Sequence, residues 1–278
     1  MKRLPLLLLV FTLACATVPR QPVHVVIIGT TDVHGWFNGH TEVPKGGGDP
    51  LQYGGLATFA SYIDALRAEN PNRVILVDSG DMFQGTLESN LFEGEAVVRG
   101  YNDIGYTAAA VGNHEFDFGP VGPDSVPRKP GDDPLGALKR NAAMAHFPFL
   151  SANMTEKATG RVPSWARPYA IVDVAGARIG IIGLSTPDTP NVTTPVNVAS
   201  LDFGDPVETV IRYAKELRAN RADAVIVIAH IGGRCTNLDD PHSLESCDRE
   251  QEVMRLLNAL PPGTIDAFFA GHTHAQMR

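Results

Sequence analysis

The stretch VGNHEFDFG at 111–119 places two acids and a histidine between glycines, directly after the soft run TAAAV. Such a segment is either a solvated turn or a place where chemistry happens. Four other stretches share its character. TTDVHGW delivers Asp32 and His34 past an apolar run, and DSGDMFQG delivers Asp81 past another. VIVIAH ends on His230, and AFFAGHTH ends on His272 and His274. With Asn113, His114 and Asp117, these residues supply carboxylate, imidazole and carboxamide groups. Those are ligand types for Zn²⁺, Mn²⁺ or iron at a mixed nitrogen and oxygen site. Taken singly, Asp32 reads as a turn residue and His230 as a strand cap. Taken together, five polar exits from five apolar runs point to one site, with enough ligands for two metals if a carboxylate bridges them. Glycines at 35, 80, 85, 112 and 271 let the backbone turn sharply around them. His272 and His274, two apart at a strand end, are expected on the same side.

The elements that must position these groups follow from periodicity. HVVIIGTT at 24–31 reads as a buried strand, LATFASYIDALRAE at 56–69 as an amphipathic helix, and RVILVDSGD at 73–81 as a strand entering a glycine turn. Helical patterns recur at 95–104, 135–146, 206–220 and in EQEVMRLLNAL. Strands are expected in TAAAV, FLSAN, ADAVIVIAH and IDAFFAGHTH, and in YAIVDVAG and ARIGIIGLS, which join at Gly176. Short apolar strands between helices imply α/β layers, and the hairpin at Gly176 makes the sheet mixed. The proline-rich and glycine-rich run at 119–134 reads as a long surface loop, and residues 39–55 read the same way.

The chain has 278 residues, is 44% apolar and 19% charged, and carries a formal net charge of -8. That is a globular composition. The acidic balance excludes a protein that coats nucleic-acid polymers, though not one that takes small phosphorylated substrates at a metal. Residues 1–14, MKRLPLLLLVFTLA, read as an export signal: two basic residues, then an apolar run short for a bilayer span. The string FTLACAT resembles the processing site of bacterial lipoproteins. Cys15 is then a candidate lipid anchor, with 15–22 as a linker, 23–278 as the catalytic region and no transmembrane helix in the mature chain. The location implied is the periplasm or cell envelope, as an outer-membrane lipoprotein if Cys15 is anchored. In an oxidising compartment, Cys235 and Cys247 suggest a disulfide across a polar loop. A cysteine metal site is the alternative.

DxH at 32–34, GDxxxG at 80–85, GNHE at 112–115, the isolated His230 and GHTH at 271–274 match in order the motifs of the calcineurin-like metallophosphoesterases. GNHEFDFG and GDMFQG resemble the 5'-nucleotidase branch, whereas protein serine/threonine phosphatases are expected to read GDxxDRG at the second motif. The resemblance implies a four-layer α/β/β/α sandwich with mixed sheets. It also implies two divalent metal ions, Zn²⁺ or Mn²⁺. Asp32, His34, Asp81 and His274 would hold one, with His34 near the bridging water, and Asp81, Asn113, His230 and His272 the other. His114 would be the catalytic histidine that faces the substrate phosphate and Asp117 its orienting partner, assisting attack by a hydroxide between the metals. The implied reaction is hydrolysis of phosphate esters, first among them 5'-nucleotides. UDP-sugars, 2',3'-cyclic nucleotides, a thiosulfohydrolase-like substrate and a non-catalytic surface protein are the alternatives. Family nucleotidases continue into a second domain, so a chain ending four residues after His274 is expected to be truncated at its C-terminus. Trp36, Phe37, Phe83 and Phe92 are candidates to line the cleft, though aromatics are more often core.

Overall fold

The computed structural model describes residues 22–240 and 243–275. The expected export signal and Cys15 lie outside the described residues. Strand β1 (Val26–Thr30) is followed by β2 (His40–Glu42), β3 (Leu51–Tyr53) and helix α1 (Leu56–Glu69). Next come β4 (Val74–Asp78), α2 (Leu87–Leu91), α3 (Glu95–Ile104) and β5 (Ala108–Ala110). A single 3₁₀ turn at His114–Phe116 leads towards α4 (Gly136–Met144) and β6 (Phe149–Leu150). The second half runs β7 (Met154–Glu156), β8 (Tyr169–Val174), β9 (Ala177–Ser185), α5 (Thr189–Val192) and β10 (Leu201–Phe203). It closes with α6 (Pro206–Ala219), β11 (Ala224–His230), α7 (Glu252–Ala259) and β12 (Ala267–Ala270).

Two four-stranded sheets form the centre, one ordered β1-β4-β5-β6 and the other β12-β11-β9-β8. The first is parallel throughout. In the second, β12, β11 and β9 are parallel and β8 is antiparallel to β9 through the expected hairpin. Strand alternation divides the side chains between layers. Ile75 and Val77 of β4 meet Ile179, Ile181, Ile226 and Ile228 between the sheets. Leu76 faces the helix layer with Val97, Val98 and Leu138. On the opposite side, Val225 and Val227 of β11 pack on Val210 and Leu217 of α6 and Val253 of α7. The result is the α/β/β/α sandwich.

Local chemistry explains where the helices begin and end. Asp205 caps α6 by accepting from the Val207 and Glu208 amides at 2.7 and 3.1 Å, with Pro206 at the first helical position. Gly105 ends α3 in the left-handed region, φ 80°, with its N–H on the Tyr101 carbonyl. Cys235 and Cys247 form a disulfide with a sequence separation of 12. Closing a loop of that length stabilises the fold by roughly 3 kcal/mol.

Two expectations need correction. Residues 39–55 are not wholly loop, because β2 and β3 pair antiparallel with His40 opposite Tyr53. Strand β1 is partly exposed rather than buried, since it is the outer strand of its sheet. The 186–203 region, for which the sequence set no expectation, contains α5 and β10; β10 pairs with β7.

The sheets approach closely at Gly183, where an added Cβ would lie 2.2 Å from the Leu150 Cβ and 2.5 Å from the Leu150 carbonyl oxygen. A strand backbone cannot yield as a flexible side chain does. Gly183→Ala should therefore force the sheets apart and lower stability by about 2–3 kcal/mol. A urea midpoint unchanged from the parent would refute this account of the close approach.

Candidate metal centre

All the ligand-type side chains lie at the carboxyl ends of parallel strands. Asp32 and His34 follow β1, Asp81 follows β4, the 113–117 turn follows β5, His230 ends β11, and His272 and His274 follow β12. Hydrogen bonds stitch the two sheet edges together at this level. Ser79 Oγ donates to the Phe269 carbonyl at 3.1 Å, and Ser185 Oγ donates to the Val111 carbonyl at 2.6 Å.

The turns that aim the side chains are strained. Asp32, His34, Asp81, His272 and His274 have φ of 51, 47, 56, 84 and 49°. Each left-handed L-residue costs roughly 1 kcal/mol or more. Interlocking hydrogen bonds hold them: Asp32 N–H on the Gly80 carbonyl, His34 N–H on the Asp81 carbonyl, and His272 N–H on the Asp32 carboxylate, each at 3.0 Å. This backbone also corrects the expectation for His272 and His274. They lie past the end of β12 with positive φ and enter different clusters, so strand alternation does not apply.

In the first cluster, His274 Nε2 is 3.3 Å from Asp32 Oδ1 and 2.9 Å from His34 Nε2. In the second, His230 Nε2 is 3.0 Å from Asp81 Oδ2, 3.1 Å from Asn113 Oδ1 and 3.2 Å from His272 Nδ1. His34 Nε2, 3.8 Å from Asp81 Oδ2, joins the two. The ligand atoms within each of the triples Asp32–His34–His274, His34–Asp81–His114 and Asp81–His230–His272 lie within 4.8 Å of one another.

The outward hydrogen bonds show that this set suits cations. His34 Nδ1 is engaged by the Gln84 carbonyl at 2.8 Å and His230 Nδ1 by the Ser79 carbonyl at 3.0 Å. Carbonyls only accept, so each Nδ1 carries a proton and each Nε2 points inward, with a lone pair whenever the ring is neutral. Asn113 donates its Nδ2 to the Val192 carbonyl at 3.0 Å, which turns Oδ1 inward as well. Carboxylate, imidazole and carboxamide acceptors thus face one another, an arrangement that needs a shared cation.

Protons can fill part of that role. Burial would lower the His230 pKa, but the Asp81 charge and hydrogen bond outweigh it and hold the imidazole up at about 9. Burial likewise pushes Asp81 up, and the His230 and His114 charges bring it below its ordinary value. Burial and the nearby His230 charge depress His272. Metal binding at His230 must displace a proton, so affinity should increase with pH.

His114 stands beside this set. Its Nδ1 is 2.5 Å from Asp117 Oδ2, and this hydrogen bond is the largest cause holding the imidazole above its usual value. Of the aromatic candidates, Phe83 is fully buried in the helix-layer core and Phe37 packs against it, whereas Trp36 and Phe92 are exposed.

Three groups that sequence reasoning missed support the site. Glu115 is buried and accepts from the amides of Gly112, Asp81 and Met82 at 2.6, 2.9 and 2.8 Å. It ties the β4 exit to the β5 exit. Gly112 is needed there because an added Cβ would lie 2.2 Å from Asp81 Oδ1. Asp78 accepts from Thr30 Oγ1, Tyr101 Oη and the Gly80 amide at 2.6, 2.8 and 2.8 Å. Thr193 donates to Asp117 Oδ1 at 2.7 Å. GNHE contains Glu115, but nothing in the motif distinguishes a buried backbone staple from a solvated turn acid.

Glu115→Ala leaves three amides without their acceptor and should lower stability by about 3–5 kcal/mol. Metal content by mass spectrometry should fall with it, and a variant of parental stability would sink the staple. Asp78 offers a pH test. Burial outweighs its three hydrogen bonds and raises the carboxyl from 3.8 to about 7. The folded value lies above the unfolded one, so folding takes up a proton, and stability falls as pH rises through that window. In chelator, Asp78→Asn should gain on the parent between about pH 5 and pH 7, by at most about 1.4 kcal/mol per pH unit. A constant difference would show that Asp78 stays ionised.

The sequence profile described as calcineurin-like phosphoesterase matches residues 25–276. A 5'-nucleotidase of Vibrio cholerae is 33% identical, covering 93% of this chain and 43% of its own. A snake venom 5'-nucleotidase of Gloydius brevicauda is 36% identical over 82% of this chain and 37% of its own. The crystal structure of a 5'-nucleotidase precursor from Thermus thermophilus superposes with a TM-score of 0.70 at 28% identity, covering 90% of this chain and 42% of that one. The chain therefore spans about two fifths of the length of these relatives. With the ordered motifs and the sandwich, these likenesses show that it belongs to the calcineurin-like phosphoesterase family, in the branch related to 5'-nucleotidases.

Proposed function

We propose that this chain hydrolyses phosphate esters at a dinuclear metal centre, with 5'-nucleotides as the substrate class. The observation that carries the reading is Asp81, a buried carboxylate placed between two clusters of inward-facing acceptors. Asp32, His34 and His274 would hold one ion; Asn113, His230 and His272 would hold the other, with Asp81 shared. Zn²⁺ and Mn²⁺ both suit this mixture of nitrogen and oxygen donors. Two such ions, when bound, supply Lewis-acid stabilisation of phosphoryl oxygens and a water of lowered pKa.

The chain's own groups do the rest. His114, held above its usual pKa by the Asp117 hydrogen bond, keeps its proton to higher pH than an ordinary imidazole. It can stabilise charge on a phosphoryl oxygen or protonate the departing one. Asp117 engages Nδ1, which leaves Nε2 as the ring nitrogen for the substrate.

Among the described residues no helix is long and apolar enough to cross a membrane. The reading also includes export through residues 1–14, a linker at 15–22, a catalytic region at 23–278, and Cys15 as the residue that would carry a lipid.

Purified residues 16–278 should release phosphate from 5'-AMP with Mn²⁺ or Zn²⁺ and stop on addition of EDTA. No metal-dependent release from 5'-AMP or other phosphate esters would refute the reading. His114→Ala should lower kcat by about 10²- to 10⁴-fold while both metals stay bound. Loss of metal in that variant would instead make His114 a ligand.

A further inference from the structure

We propose that the segment Thr189–Asn197 is the positioning element of the reactive turn, and that Thr193 is a positioning residue for the His114–Asp117 pair. The proposal rests on the role given above to His114.

The segment grips the turn at three points. The Val192 carbonyl accepts from Asn113 Nδ2 at 3.0 Å. Thr193 Oγ1 donates to Asp117 Oδ1 at 2.7 Å. Asn197, fully buried, donates from Nδ2 to the Phe116 carbonyl at 2.8 Å and to the Ser125 carbonyl at 2.9 Å. The turn comes from one sheet and the segment from the other, since it follows β9. The segment is itself anchored. Thr189 is fully buried, and its hydroxyl donates to the Thr186 carbonyl at 2.7 Å. Asn191 Nδ2 donates to Asp188 Oδ1 at 2.6 Å.

Each contact removes a specific freedom. An asparagine amide can flip; the Val192 carbonyl fixes Nδ2 outward and Oδ1 towards His230. A carboxylate can rotate about its last side-chain bond. With Oδ1 held by Thr193, Asp117 presents Oδ2 to His114 Nδ1, and this sets both the tautomer and the direction of the ring. Two consecutive residues thus orient a candidate ligand and the acid–base pair together.

Thr193→Val keeps the shape and deletes the hydroxyl. With the full chain loaded with Mn²⁺, kcat for 5'-AMP should fall about five- to tenfold, the effect of one lost hydrogen bond. KM, melting temperature and metal content should stay near parental. On p-nitrophenyl phosphate, whose leaving group needs no proton, the fall should be less than about twofold. Thr193→Ser should restore the parental values. A readout independent of turnover is the pair of ring ¹⁵N shifts of His114 in the metal-free chain, assigned by their loss in His114→Ala. They should move in Thr193→Val and return in Thr193→Ser.

Unchanged shifts together with unchanged kcat would overturn the proposal. So would an equal fall on both esters accompanied by lost metal or lost stability, which marks a general structural role. If the parent hydrolyses neither ester, the phosphoesterase reading fails, and the ¹⁵N shifts alone decide the role of Thr193.

Discussion

The structure turns on the concentration of buried negative charge at Asp81. Its carboxylate is almost wholly buried, and its ion-pair partners are His34 and His230. Asp32 pairs with His274 and Asp117 with His114, so among the described residues every ion-pair partner of these acids is an imidazole. Glu115 lies buried beside Asp81, and burial and then the Asp81 charge raise its acid to about 8, so it adds no negative charge at neutral pH. Imidazoles can surrender their protons to a metal, as a guanidinium cannot. Acids paired with histidines in this way are built to exchange protons for metal ions.

Holding that charge together requires a stiff frame. Five of the seven candidate ligands have left-handed backbone conformations, and such strain persists only where surroundings over-determine it. The surroundings here are the two sheets. Ile75, Val77, Ile179, Ile181, Ile226 and Ile228 lock them face to face. At their carboxyl edge, Ser79 and Ser185 each reach from one sheet to a backbone carbonyl of the other. The ligands come from both sheets, so the packing between the sheets sets the geometry of the site. Thr189–Asn197 extends the same arrangement, with one sheet supplying the reactive turn and the other its brace.

Apolar periodicity made α1 and α3 legible to the residue, because each is long enough to show a helical repeat against the core. The Gly176 hairpin was legible because glycine and flanking apolar runs leave few other conformations. The β2–β3 hairpin was not: its strands are three residues each and wholly exposed, so no buried face imposes an alternation. Helix α5 was hidden for a similar reason, with four residues and a role set by contacts to the 113–117 turn. Strand β1 had the right residues, but its place at the sheet edge depends on strand order, which pairing between distant segments determines.

For the site, the residue types and their order along the chain were determined by the sequence alone. Asp32, His34, Asp81, Asn113, His114, Asp117, His230, His272 and His274 all converge at one edge, because polar groups that follow parallel strands share an end of the sheet. The partition of those residues was decided only by the tertiary structure. His272 and His274 part company because positive-φ turns, not strand alternation, aim them. Glu115, Asp78 and Thr193 acquire their roles through partners distant in the chain: Asp81 lies 34 residues from Glu115, Thr30 48 from Asp78 and Asp117 76 from Thr193. A hydrogen bond between distant segments has no local sequence signature, and its strength depends on a burial that exists only once the layers have packed.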